Sequence, residues 1–238
     1  MKTGALLRAA AGPAAGGSFD IGTPDVHWTF DDIANLWKDT GLTSAVTADG
    51  DIIKGVTDLA AGAQPLTEAT NGPTYKVAIQ NGLSVARFDG TNDQLKNTTA
   101  GNAQPNTLIV AAKFNADVDG ILIGETSLAS YFKVDTTGPK YNLVLGGGAH
   151  TLDSIAADLT WHVFTILLTT NSCTVRVDGV EQLVAAAAAG TWNGIMLGSM
   201  SGVGFYASVD VGEVAVYWST ITDPDLSTYE TSLMSKWI

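Results

Sequence analysis

The sequence predicts an all-β fold of two packed sheets, framed by a short helix near its start and a longer one at its end. Three observations carry this. Apolar and polar residues alternate with period two through most of the chain after residue 26, as strands with one buried face require. Clusters of Gly, Asn and Asp interrupt that alternation at short intervals, in the manner of turns. The 238 residues, 45% hydrophobic and 15% charged, suit one domain whose core is large enough to need no disulfide.

Element by element, residues 1–26 read as an extended arm, because Ala9 to Gly17 is a small-residue tract broken by Pro13. The apolar start Ala5-Leu6-Leu7 is cut by Arg8, too early for the apolar core of an export signal. Residues 29–37 read as a short helix. The clearest strands are 83–88, 107–114, 120–124, 131–134, 141–145, 161–168, 173–177, 194–198 and 211–218. Asp178-Gly179 between two alternating runs predicts a two-residue hairpin turn, since that pair accepts the positive φ angles such a turn demands. Ala185 to Ala189 is too short to nucleate a helix and is followed by Gly190, so it reads as an extended return segment. A C-terminal helix starts at Asp223-Pro224, with Asp223 as cap, and carries Leu226, Tyr229, Leu233 and Trp237 on one stripe.

Charge narrows the function. Against 24 Asp and Glu stand 12 Lys and Arg, a formal net of −12 with a pI near 4.4, which would repel a phosphate backbone, so no direct nucleic-acid partner is expected. No apolar run approaches the roughly 20 residues of a membrane helix, and no membrane partner is expected. The single cysteine, Cys173, sits in an alternating apolar stretch and reads as a packed small hydrophobe.

Six blocks in order resemble the laminin-G-like, concanavalin A-like jelly-roll domains of bacteriophage and bacterial structural proteins. They are Leu36-Trp37-Lys38-Asp39-Thr40-Gly41 with Val46-Thr47-Ala48-Asp49-Gly50-Asp51, then Thr67 to Thr70 with Pro73 to Lys76. Asn81-Gly82 and Arg87-Phe88-Asp89-Gly90-Thr91-Asn92-Asp93-Gln94-Leu95 follow, then Trp161-His162-Val163, Val175 to Gly179, and Gly212 to Tyr217. The resemblance covers residues 27–238 and implies a two-sheet jelly-roll sandwich. Function is not implied by it, because this fold hosts lectins, glycosidases and purely structural proteins. One departure stands out: where family members carry Trp-x-Asp-Lys-Ser-Gly, residues 56–62 keep only Asp58 and Gly62.

Catalytic chemistry finds no support in the spacing. The five glutamates, Glu68, Glu125, Glu181, Glu213 and Glu230, are scattered, with no paired-carboxylate strand motif of the glycosidase kind. Gly198-Ser199-Met200-Ser201-Gly202 has Met200 where a nucleophile elbow needs its serine. His27, His150 and His162 lack metal-ligand spacing, and His162 reads as a core or rim residue. No catalytic residue, metal site or required cofactor is assigned. Calcium is the one ion weighed: Asn115-x-Asp117-x-Asp119-Gly120 copies half of a calcium loop, but turn chemistry explains it, as it does Asp49-Gly50-Asp51 and the Asp89 to Asp93 loop.

The expectation is therefore a non-enzymatic virion structural protein, a bacteriophage capsid decoration or minor capsid subunit made in the host cytoplasm. Its arm would dock on the major capsid protein through Leu6, Leu7 and Arg8. A 26-residue arm reaches about 85–90 Å at most, enough to cross to a neighbouring copy, so a homo-oligomer, trimeric on a shell, is expected. The alternative is a carbohydrate-binding adhesion module or a tail or fibre-base component. Trp192 and Tyr206, near loops, are its candidate glycan platform, while Trp161 and Trp218 read as filling between sheets.

Overall fold

The computed structural model describes residues 23–60, 63–98, 102–117, 119–126, 130–135, 140–146, 148–186, 191–200 and 204–238. In chain order the first strands are β1 (Val26–Thr29), β2 (Leu36–Trp37), β3 (Gly55–Val56), β4 (Leu66–Thr67), β5 (Thr74–Gln80), β6 (Leu83–Asp89), β7 (Leu95–Asn97), β8 (Asn102–Ala103) and β9 (Asn106–Phe114). Then come β10 (Gly120–Gly124), β11 (Ser130–Asp135), β12 (Lys140–Leu145), β13 (Gly148–Ala156), β14 (His162–Leu168), β15 (Ser172–Val177), β16 (Val180–Ala186), β17 (Thr191–Trp192), β18 (Ile195–Leu197) and β19 (Ser208–Tyr217), closed by helix α1 (Asp225–Trp237).

The expected two-sheet sandwich is present. One sheet runs β16-β15-β14-β9-β19-β6-β5, with β1 added beside β19; the other runs β13-β12-β11-β10-β18-β7-β4-β3-β2. Strand β19 organises the first sheet. Its residues Ser208 to Val211 pair with β6 and its residues Glu213 to Val216 pair with β1, the division falling at a bulge around Gly212. Val26 is thus already in the sheet, and the Asp25 N–H donates to the Val216 carbonyl, so pairing starts just ahead of the expected boundary at residue 27.

Period-two alternation sends one set of side chains between the sheets. Phe114, Phe132, Tyr141 and Phe164 meet there with ring centroids 5.0–6.4 Å apart, in tilted, edge-on and stacked arrangements. Cys173 joins them, fully buried, and burial pushes its thiol up, consistent with a packed hydrophobe.

A second core lies on the outer face of the eight-stranded sheet, where α1 covers Val85, Ile109, Val163 and Ala215 with Leu226, Leu233 and Trp237. Trp161 belongs here, stacked on Trp237 at 5.2 Å, and not between the sheets as expected. Trp218 is partly buried against the central core. Of the stripe expected on α1, Leu226, Leu233 and Trp237 are buried and Tyr229 is partly buried; Glu230 is buried with them, with Arg176 Nη2 2.9 Å from its carboxylate.

Two local expectations need correction. The short helix at 29–37 is a single 3-10 turn, Ile33–Asn35, between β1 and β2, because Thr29 is paired in the sheet and Leu36 and Trp37 pair with β3. Asp223 does not supply the expected cap; Pro224 holds that position, and the Asp223 carboxylate binds Arg176 and the Ser227 hydroxyl instead. The Asp178-Gly179 hairpin is as expected, with φ of 52° and 75°. Strand β16 takes in Ala185 and Ala186; residues 187–190 lie outside the described residues.

A candidate glycan-binding face

The outer face of the nine-stranded sheet follows from the alternation along β11. Phe132 and Val134 point into the core, so Tyr131, Lys133 and Asp135 point outward. Register carries the row across the sheet: Lys133 is paired with Ile121 on β10 and with Asn142 on β12, and Asn142 is paired with Thr151 on β13.

At the other side of Ile121 the chain returns as Phe205-Tyr206-Ala207. The Ile121 N–H donates to the Phe205 carbonyl at 3.0 Å, Tyr206 forms a bridge with Ile121, and the Ala207 N–H donates to the Gly198 carbonyl at 2.8 Å. Gly120 permits this approach, since a Cβ there would lie 2.7 Å from the Ala207 Cα. Phe205 is held at φ 58°, a left-handed conformation that costs an aromatic residue about 1–3 kcal/mol. The residue is 46% exposed. Among the described residues it is the one exposed large hydrophobic held at a positive φ.

A lysine approaches the ring. Lys133 Nζ lies 5.6 Å from its centroid, 2.8 Å from Asp119 Oδ1 and 3.3 Å from Asp135 Oδ2. Burial opposes the charge on Lys133, but Asp119 and then Asp135 outweigh it and raise the ammonium above its ordinary value. Asn142 Nδ2 donates to Asp135 Oδ2 at 3.3 Å. The result is an exposed aromatic residue beside two partly exposed carboxylate acceptors held in place by Lys133, chemistry that can meet a sugar's C–H face and its hydroxyls.

The residues expected to form a platform part ways. Tyr206 is half-buried beside Phe205, whereas Trp192 is 1% exposed and part of the central core, so it is removed from any platform. Sequence reasoning missed Phe205 because alternation does not foresee a left-handed φ. The run Gly202-Val203-Gly204 ahead of it was the available signal. Leu6, Leu7 and Arg8 lie outside the described residues.

Other polar clusters are satisfied internally. Asp119 is engaged by Lys133; Asp51 accepts the N–H groups of Thr47 and Ala48; Asp49 pairs with Lys76 at 2.9 Å; Asp89 accepts the N–H groups of Thr91 and Asn92. Asp58 binds the N–H groups of His27, Ala60 and Gln64, organising the loop that departs from the jelly-roll pattern. Among the described residues, no group of three or more His, Cys, Asp or Glu side chains could hold a metal ion. Asp93 is raised to about 6 by burial, yet its carboxylate faces the Asp89 N–H inside its own loop. A groove of about 510 Å³ between Thr74, Lys76, Arg87 and Ser208 has its charges paired, Arg87 with Asp210 and Lys76 with Asp49. Another of about 640 Å³ runs along α1, where Thr228 and Thr231 donate their hydroxyls to backbone carbonyls. No helix among the described residues is long and apolar enough to cross a membrane.

No family model and no curated protein sequence matches the chain. Solved structures do. A GH54 α-L-arabinofuranosidase soaked with a cyclic sulfate inhibitor aligns with TM-score 0.67 at 11% identity, over 89% of this chain and 62% of that one. Domain 4 of AbnA, a GH43 extracellular arabinanase from Geobacillus stearothermophilus in complex with arabinotriose, aligns with TM-score 0.55 at 11% identity, over 87% and 97%. The botulinum neurotoxin serotype D ligand binding domain in complex with N-acetylneuraminic acid aligns with TM-score 0.55 at 8% identity, over 86% and 52%. The chain thus spans about half to two thirds of the neurotoxin and arabinofuranosidase chains. At these identities the likeness is one of fold: the protein is a β-sandwich of the architecture found in these glycosidase and neurotoxin ligand binding domain structures.

Proposed function

We propose that the protein is a non-catalytic carbohydrate-binding β-sandwich module, and that the Phe205 face is its binding surface. The observation that carries this is the exposed Phe205, its backbone held by Ile121 and its ring approached by Lys133, which Asp119 and Asp135 bind in turn. Likeness of fold to domains crystallised with arabinotriose and N-acetylneuraminic acid supports the class of ligand. The virion role, the capsid partner and the trimer rest on the family resemblance and on an arm outside the described residues, so the glycan reading takes precedence over them.

The test is a glycan array probed with the wild-type chain and with Phe205→Ala. The wild type is expected to retain a defined set of glycans, and the variant to lose at least about tenfold in affinity, roughly 1.4 kcal/mol, at an unchanged melting temperature. No glycan retained above background by the wild type overturns the proposal.

A further inference from the structure

We infer that the Phe205 face selects uncharged saccharides and rejects acidic ones; this rests on the glycan-binding reading above. The ring itself is indifferent to charge, because it meets the C–H face of a sugar, so selection falls to the polar groups around it. Two described lysines lie on this surface and both are committed: Lys133 is 14% exposed, with Asp119 at 2.8 Å and Asp135 at 3.3 Å, and Lys140, paired in register with Asp135, is bound by Asp153. Asp119 and Asp135 each keep 30% of their side chains in contact with water. A uronate or sialate seated on the ring would therefore meet two fixed carboxylates, and the cations beside them, Lys133 and Lys140, are already held by Asp119, Asp135 and Asp153.

A hydroxyl meets the opposite situation. Asp119 spends one oxygen on Lys133, which leaves its second oxygen to accept a sugar O–H, and an ionised carboxylate offers about four acceptor sites in all. The Asn142 amide already donates to Asp135, which fixes that acceptor in place. The chain's formal net charge of −12 adds a longer-range repulsion toward polyanionic glycans, which salt screens over about 10 Å at 0.1 M.

The experiment is affinity electrophoresis of the full chain through gels cast with arabinan or galactan as neutral polymers, or with polygalacturonate or polysialic acid as acidic ones. Each is run at low and at moderate salt with wild type, Phe205→Ala and Asp119→Asn. The expected result is retardation by a neutral polymer and none by the acidic polymers at either salt, with Phe205→Ala releasing the neutral polymer by at least about tenfold in affinity. Asp119→Asn keeps an acceptor oxygen and removes the charge, so the ratio of acidic to neutral affinity should rise at least about tenfold. Retardation by an acidic polymer as strong as by a neutral one, and abolished by Phe205→Ala, overturns the selectivity while the glycan reading stands. Absence of retardation by any of the four polymers, together with an empty glycan array, overturns both.

Discussion

A Cβ on Gly212 would lie 2.5 Å from the indole of Trp237, so α1 closes on the sheet through a position that must carry no side chain. The same residue forms the bulge at which β19 changes partner from β6 to β1, and the Phe30 N–H donates to its carbonyl. Gly212→Ala should therefore cost about 1–3 kcal/mol by overpacking, and Trp237→Ala about 3–5 kcal/mol by the cavity it leaves. Urea midpoints check both; an unchanged midpoint for Gly212→Ala would show that the ring can retreat.

Asp210 is fully buried opposite Arg87, which grips it through Nε and Nη2 at 2.7 Å each. Removing the cation leaves a buried charge uncompensated. Arg87→Met should destabilise the sandwich by about 3 kcal/mol, the low end for such pairs because 39% of the Arg87 side chain remains in water. The double change Arg87→Met, Asp210→Leu should recover part of the loss, and failure to recover any would show the pair to be more than a local contact.

Acid should loosen the end of α1. Burial alone would raise the Glu213 carboxyl, but the His27 hydrogen bond and the Lys236 charge outweigh it and hold it at about 2, below the ordinary 4.5. A carboxyl lowered on folding contributes stability that is present above pH 4.5 and is lost as pH falls toward 2, on the order of 3 kcal/mol in full. The stability difference between wild type and Glu213→Gln should shrink across that window. A difference constant from pH 5 to pH 2 would contradict the assignment.

His162 should act in the opposite direction. Burial lowers its proton affinity, but Asp178 at 2.6 Å from Nδ1 and Asp158 at 3.0 Å from Nε2 prevail and raise it above 6.5. A histidine raised on folding contributes stability that is complete below pH 6.5 and disappears as pH climbs through the folded value. The ring spans β14, the loop at Asp158 and the hairpin turn at Asp178, so that hairpin should be protected from hydrogen exchange more strongly at pH 6 than at pH 8 after correction for intrinsic rates. NMR titration of His162 with a midpoint below 6.5 would refute this.

The sandwich was legible in the sequence because period-two alternation and Gly/Asp turns are local signals: all nine strands read from them are present, the largest boundary shift being three residues at the start of β19. Strands β1, β5 and β13 and the two- and three-residue strands β2, β3, β4, β7, β8 and β17 do not show in the alternation. The short ones hold too few residues for a period, Pro73 and Asn81 bracket β5, and few large apolar residues mark β13, whose pairing with β12 is a tertiary fact. The binding face was legible in half. Lys133 and Asp135 follow from the alternation around Phe132 and Val134, while Phe205 owes its exposure to one left-handed φ, and Trp192 owes its burial to packing that its loop-like neighbours Asn193-Gly194 conceal.

The central claim is the place of the ligand, and an amide NMR map of the full chain, titrated with the neutral glycan retained most strongly on the array, tests it most directly. The account predicts saturable shift changes centred on Phe205 and Tyr206 and extending to Asp119, Ile121, Lys133 and Asn142, abolished in Phe205→Ala. Changes centred instead on the groove of Thr74, Lys76, Arg87 and Ser208, or along α1 at Ser227, Thr228 and Thr231, would contradict it.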